Sequence, residues 1–128
     1  MKKGEKILSF VKYEKELESS YRHKLDEIKR PDEVGNVFRE FVFKLLKKVK
    51  DDIPDDAVEQ INFRPEDGEA FEIGEELIEL LGEKLVEKSD LMAIIGRMAQ
   101  SAQHRYKKIK NDDERTDLFR IGDGAKPY

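Results

Sequence analysis

Residues 91–111 read LMAIIGRMAQSAQHRYKKIKN, and the other elements of the chain can be placed around this stretch. Its apolar residues recur every three or four positions; they are Leu91, Ile94, Ile95, Met98, Ala102, Tyr106 and Ile109. That spacing is the period of an α-helix with one apolar face. The stretch holds five basic residues and no acidic one, although 42% of the chain is charged. We therefore predict an amphipathic helix, helix four, with a basic and amide-rich outer face.

A first helix is predicted by the same period over roughly residues 5–29. Its apolar residues are Ile7, Phe10, Val11, Leu17, Tyr21, Leu25 and Ile28. Glu14 falls on this apolar stripe, between Val11 and Leu17. A carboxylate there either lies at the edge of the stripe or is a buried functional acid. We favour the edge position, because a glutamate at a stripe margin keeps its head in water easily.

A second helix is predicted from Pro31 to Lys50. Proline disfavours helical backbone in the preceding residue but suits a first helical turn, so Arg30 marks the break. The apolar face is wide and consists of Val34, Val37, Phe38, Phe41, Val42, Leu45, Leu46 and Val49. We expect this helix to be the most buried one. The last turns carry Lys44, Lys47, Lys48 and Lys50, which the negative end of the helix dipole explains at least as well as a ligand does.

Residues 51–56 contain four acids and break helix two. Their spacing matches no calcium loop and lacks both the glycine turn and the distal glutamate, so we expect no metal site here. Asp55 or Asp56 is instead predicted to cap a short turn that runs through Gln60.

From Ile61 to Ile73 apolar and polar residues alternate with a period of two. Pro65 and Gly68 lie between the two halves, where a turn needs such residues. A short β-hairpin between helices two and three is predicted, and an irregular loop is the alternative.

Helix three is predicted to begin at Gly74. Its core face is predicted to hold Leu77, Ile78, Leu80, Leu81, Leu85 and Val86. Glu79, Glu83 and Glu87 recur at four-residue spacing on the outside, which predicts a continuous acidic stripe. Ser89 and Asp90 have the residue types that begin a helix, so helix four should start there.

The predicted fold class is therefore mainly α, a four-helix bundle-like single domain with a short hairpin. The length of 128 residues allows one hydrophobic core. We assign residues 1–110 to the helical domain. We expect residues 111–128 to form a polar C-terminal tail, loose or docked on a partner.

The composition excludes several chemistries. The chain has no cysteine, so disulfides, thiolate nucleophiles and cysteine-ligated metals are excluded. The N-terminal MKKGEK is followed by no apolar run, and no stretch approaches the length of a membrane span, so we expect neither a signal peptide nor a membrane partner. A cytoplasmic location is the resulting prediction. Abundant Lys and Glu beside rare Asn, Gln and Cys resemble the usage of thermophilic proteins.

The net charge of −4 hides a strong partition along the chain. Residues 1–50 carry 14 basic and 9 acidic residues, and residues 51–90 carry 3 basic and 15 acidic ones. Residues 91–128 carry 8 basic and 5 acidic residues. A central acidic segment between two basic ones indicates internal pairing, association between copies, or a basic face for an anionic partner. Solvated faces that happen to segregate are the remaining explanation.

Helix one resembles the helices of ferritin-like, rubrerythrin-type proteins, with Glu14 seven residues before Tyr21 and a long apolar helix after it. The resemblance implies a four-helix bundle. Proteins of that family take a Glu-x-x-His motif from helix two, where this chain has only lysines, and Ala102 stands where a ligand glutamate would be. No metal site is carried over, and we predict that Glu14 is not a metal ligand.

Catalytic motifs are missing from the sequence. It has neither a Gly-x-Ser-x-Gly motif nor a phosphate-binding glycine loop, so we predict no catalytic residue, no cofactor and no small-molecule ligand. An enzyme, in the form of a degenerate ferritin-like bundle, ranks third among the functions considered.

The first functional hypothesis is a non-enzymatic assembly module that self-associates, most simply as a homodimer. The wide apolar face of helix two and the charge partition support it, since basic helix four of one copy can meet acidic helix three of another. The acidic partner face would be Glu79, Glu83 and Glu87.

The alternative hypothesis is nucleic-acid binding through residues 91–110. Arg97, Ser101, His104 and Lys108 share one face of helix four by their spacing. The predicted contact residues, for nucleic acid or for a protein partner, are Arg97, Ser101, His104, Arg105, Lys107 and Lys108. Lysine and arginine neutralise phosphates, but the overall acidity and the lack of a recognition motif weigh against this function.

Overall fold

The computed structural model describes the backbone of residues 8–125 and the side chains of residues 8–111. Its α-helices are α1 (Val11–Glu27), α2 (Val34–Val49), α3 (Glu75–Glu87) and α4 (Leu91–Ala125). Two strands, β1 (Ile61–Phe63) and β2 (Phe71–Ile73), lie between α2 and α3. Short 3-10 turns at Pro31–Glu33 and Asp55–Gln60 flank α2. The predicted fold class, a mainly helical bundle with a short hairpin, is confirmed.

Helix α1 begins at Val11, so the start predicted near residue 5 is wrong. Leu8 is extended instead and forms a parallel bridge with Ser89, ahead of α4. The carboxylate of Asp90 accepts hydrogen bonds from the Phe10 N–H and the Ser9 hydroxyl, each at 2.8 Å. These bonds satisfy the donors ahead of the first turn and fix where the helix starts. Residues 5–7 and the predicted stripe residue Ile7 lie outside the described residues.

Helix α2 lies in the middle of the core, as its wide apolar face predicted. Its fully or almost fully buried residues are Val34, Phe38, Phe41, Val42, Leu45 and Leu46. The Phe38 ring packs 5.4 Å from that of Phe63 on β1, and the Phe41 ring packs 5.3 Å from that of Tyr21 on α1. The hairpin and the other helices thus cover the apolar face of α2. The width of that face therefore no longer supports self-association.

The lysines at the end of α2 make local contacts. Lys47 Nζ donates to the backbone carbonyls of Asp51 and Ile53, at 3.2 and 2.8 Å. Lys44, Lys48 and Lys50 form ion pairs with Glu40, Glu16 and Asp52, respectively. These contacts agree with helix termination and local pairing. The turn through Gln60 is present, but its N-cap is Pro54, without a side-chain hydrogen bond, and not Asp55 or Asp56.

The β-hairpin is confirmed, with Ile61 opposite Ile73 and Phe63 opposite Phe71. Its tip is held by α4, because Gln103 Nε2 donates to the carbonyls of Pro65 and Asp67. A lone hairpin is marginally stable in water. Docking against both α2 and α4 therefore explains why so short a hairpin is ordered.

Helix α3 is interrupted at Gly82, whose φ of 84° and ψ of 162° are not helical. The predicted continuous acidic stripe is therefore wrong, because the interruption separates Glu79 from Glu83 and Glu87. Leu80, predicted to face the core, is 43% exposed. Leu77 and Leu81 are the residues that α3 buries.

Helix α4 continues to Ala125, so the predicted end of the helix near Asn111 is wrong. Its buried residues among those described are Leu91, Ile94, Ile95, Met98, Ala99, Ala102 and Ile109. The division into a domain and a tail at residue 110 stays a prediction. Within residues 8–125 we find no helix that is both long enough and apolar enough to span a membrane.

Candidate functional site

A groove of about 610 Å³ runs between α1 and α4. It is lined by Arg22, Leu25, Asp26, Arg97, Gln100, Ser101, His104, Arg105 and Lys108. Five of the six contact residues predicted on helix four therefore line one concavity. The sixth, Lys107, is exposed but does not line it. The lining holds four cationic side chains and one carboxylate. Arg22 and Arg97 are paired with Glu18 and Glu14, so the excess positive charge of the groove comes from Arg105 and Lys108.

Arg97 is bound to Glu14 across the two helices. Its Nε and one Nη donate to the two carboxylate oxygens of Glu14 at 2.9 and 2.8 Å. This hydrogen-bonded pairing raises the pKa of the Arg97 guanidinium, which stays charged. Glu14 is partly buried, with 21% of its side chain exposed, which lies between the two positions considered for it, a solvated edge residue and a buried acid. The pair leaves one guanidinium nitrogen, Nη1, outside these two bonds.

Arg105 caps the C-terminal end of α1. Its Nε donates to the Leu25 carbonyl at 2.9 Å, and one Nη donates to the carbonyls of Asp26 and Ile28 at 3.1 and 2.7 Å. The last carbonyls of a helix have no partner within the helix and carry its negative dipole end. Arg105 was predicted as a contact for an external partner, but the geometry assigns it first to joining α1 and α4.

The other predicted residues face water. Ser101, His104, Lys107 and Lys108 are exposed, and none forms a side-chain hydrogen bond or ion pair within residues 8–111. Two arginines of the predicted surface are thus internally engaged, while its two lysines have no partner among the side chains of residues 8–111.

Arg22 is the lining cation that the sequence interpretation missed. It lies on α1, forms an i,i+4 ion pair with Glu18, and has 71% of its side chain exposed. Glu14, Glu18, Arg22 and Asp26 follow one another at four-residue spacing beside the apolar stripe. This polar row was visible in the sequence, but the sequence does not say which helix lies next to it.

One end of the groove deepens into a cavity of about 150 Å³. Its apolar residues are Leu17, Tyr21 and Met98, and its polar residues are Glu14, Glu18, Arg22, Arg97 and Ser101. The Tyr21 hydroxyl donates to the Met98 carbonyl at 2.6 Å, and burial raises the pKa of the phenol well above its usual range. The cavity therefore has an apolar floor and a rim with two acids and two bases.

The acidic surface of α3 lies outside this groove. It consists of Glu75, Glu76, Glu79, Glu83 and Glu87, all exposed. None of these carboxylates forms an ion pair with a residue whose side chain is described, whereas Glu14, Glu16, Glu18, Glu27 and Glu40 on α1 and α2 all do. Internal pairing thus does not account for the negative charge of α3 in this part of the chain.

No group of three or more His, Cys, Asp or Glu side chains in the described part of the chain is arranged to hold a metal ion. Comparisons with protein-family models, curated proteins and solved structures gave no match.

Proposed function

We propose that this protein is a small interaction module that self-associates through complementary charged surfaces. The observation that carries the proposal is the absence of ion pairs for the five α3 glutamates among the described side chains. Their natural counterpart is the electropositive α1–α4 groove together with Lys107 and Lys108. Oppositely charged patches steer two copies together and fix their relative orientation.

The proposed contact between α3 and the α1–α4 groove should depend on the salt concentration. The glutamates of α3 and the lysines of α4 are exposed, so their interaction is screened over about 8 Å at physiological ionic strength. Association should therefore be strong at low salt and fall as salt is raised. An interface dominated by apolar burial would not weaken in this way.

The test is sedimentation velocity of the full chain from 1 to 100 µM, at about 20 mM and about 500 mM salt. We expect a species heavier than the 15.0 kDa monomer at low salt and its dissociation at high salt. The Lys107→Glu, Lys108→Glu variant should be monomeric under both conditions. The matched control is Lys12→Glu, Lys29→Glu, which changes two exposed lysines of α1 and its C-terminal junction by the same charge and should associate normally.

A charge-swap experiment separates pairing from a general effect of net charge. Adding Glu79→Lys and Glu83→Lys to the double lysine variant restores opposite signs, so association should return. A wild-type chain that sediments as a monomer throughout the low-salt series contradicts the proposal.

Nucleic-acid binding is the second candidate, and the observation that favours it is the exposed Lys108 in the groove, next in sequence to the exposed Lys107. Since Arg97 and Arg105 are internally engaged, Lys107 and Lys108 would carry the phosphate contacts. Two contacts predict a log–log salt slope of about −2 on duplex DNA. Fluorescence anisotropy with a labelled duplex measures that slope, and undetectable binding at low salt eliminates this candidate.

A further inference from the structure

Leu80 is an exposed leucine within the acidic surface of α3. Its exposed fraction of 43% is the larger of the two exposed large apolar side chains in the described part of the chain, the other being Leu8 at 38%. Glu76 precedes it by one helical turn, and Glu79 is its neighbour in the chain. The break at Gly82 ends the first helical segment of α3 just beyond it. Leu80 is thus an apolar side chain presented among carboxylates.

The cavity at the end of the α1–α4 groove is complementary to Leu80, because it is apolar and lies beside cations. Its apolar floor is formed by Leu17, Tyr21 and Met98, and its volume of about 150 Å³ is in the range that accommodates a benzene-sized apolar group. Beside it, the groove continues toward Arg105 and Lys108. The rim cations Arg22 and Arg97 are already paired with Glu18 and Glu14. An apolar side chain in the cavity would therefore place carboxylates on its groove side beside Arg105 and Lys108.

We propose that the cavity receives Leu80 from a second copy of this chain. The inference rests on the proposed self-association and names its central contact. Ser101, on the cavity rim, and Arg105 are one turn apart on α4, as Leu80 and Glu76 are on α3. With α3 of the second copy antiparallel to α4, Leu80 next to Ser101 places Glu76 beside Arg105 and Lys108, and this orientation is part of the proposal. The second copy is favoured over another protein because both halves of the match, apolar and charged, are present in this one chain.

The two surfaces differ, so each copy offers one cavity and one Leu80. A two-fold dimer would then make the contact twice, with Leu80 of each copy in the cavity of the other. A buried apolar anchor surrounded by charged pairs is the usual arrangement of an energetically central interface residue.

Disulfide trapping tests the contact directly, because the chain has no cysteine of its own. A size-tagged Leu80→Cys protein is mixed with an untagged Ser101→Cys protein under mild oxidation at low salt. The expected result is a mixed disulfide that forms at least about tenfold faster than with the control pair, Leu8→Cys and Ser101→Cys, since a disulfide requires close Cα atoms. Equal rates for the two pairs would overturn the inference.

Sedimentation of Leu80→Ser separates this inference from the proposed function. We expect its association to be at least about tenfold weaker than that of the wild type, with the Leu8→Ser control unchanged. Wild-type self-association together with normal association of Leu80→Ser overturns the Leu80 contact and leaves the proposed function standing. A monomeric wild type overturns both.

Discussion

Replacement of Arg105 by methionine tests whether this arginine is mainly a structural contact between α1 and α4. Arg105→Met keeps the aliphatic stem but removes three hydrogen bonds to the carbonyls of Leu25, Asp26 and Ile28. Two of these bonds are partly buried, and the bond to Asp26 is exposed. The variant therefore leaves the C-terminal end of α1 without its partner.

The expected loss of stability follows from the two partly buried bonds. We count about 1–1.5 kcal/mol for each of them, below the usual range for a charged donor because water reaches the site, which gives about 2–3 kcal/mol in total. In a chain of 128 residues, 1 kcal/mol corresponds to roughly 3–5 °C in Tm. Arg105→Met should thus melt about 6–15 °C below the wild type. Arg105→Lys should recover only part of this loss, because an ammonium cannot reproduce the planar fork.

The assay is thermal unfolding followed by circular dichroism at one fixed protein concentration and about 500 mM salt, at which the proposed association is lost, since association also shifts Tm. Lys108→Met is the matched control: it removes the same charge from the same helix, at an exposed side chain without a partner in the described residues. It should change stability by no more than about 0.5 kcal/mol. If Arg105→Met melts within roughly 2 °C of Lys108→Met, the three hydrogen bonds do not stabilise the fold and the argument is refuted.

Three further predictions concern single positions. Gly82→Ala should lower the free energy of unfolding by about 1–3 kcal/mol in urea titrations, because its φ of 84° strains any L side chain; exposed Gly68→Ala is the control. The pKa of Tyr21 is raised in the folded chain, so the unfolded chain loses this proton first and the free energy of unfolding should fall as pH rises above about 10. Tyr21→Phe should remove this part of the decline, and a decline that is unchanged in the variant contradicts the prediction. Glu14→Gln should lower the free energy of unfolding by no more than about 1 kcal/mol, because Arg97, its partner in the ion pair, is half exposed. Chemical denaturation measures this change, and a larger decrease would contradict the prediction.

The spacing of the apolar residues predicted most of the fold, because each helix or strand must bury one face and that need fixes the spacing. The apolar faces of α1, α2 and α4 and the two-residue alternation of β1 and β2 all appeared in the sequence. The break in α3 did not, since a single glycine within an apolar helical pattern costs only about 1 kcal/mol and is often tolerated. The continuation of α4 was missed because the apolar period ends at Ile109.

The sequence predicted which residues of α4 form the candidate site, but not which groups of α1 they contact. Helical spacing placed Arg97, Ser101, His104 and Lys108 on one face of α4. Their different roles depend on α1, which lies against α4 and supplies Glu14 and the terminal carbonyls. Sequence spacing within one helix contains no information about such contacts between helices. The sequence therefore did not distinguish two arginines that contact α1 from two lysines that have no partner among the described side chains.

The division between arginine and lysine on α4 decides how experiments on this surface can be interpreted. Arginine has a planar fork of donors and suits fixed contacts, whereas lysine is a strongly hydrated point charge on a flexible stem. Arg97 and Arg105 use their forks on α1, so removing either side chain alters the packing of the helices that form the groove. Lys107 and Lys108 make no such contact among the described side chains, so their charge can be reversed while the fold is kept. Loss of self-association in the lysine variant, with an unchanged Tm for the monomer, is consequently evidence about binding, whereas the same loss in an Arg105 variant would be expected from destabilisation alone.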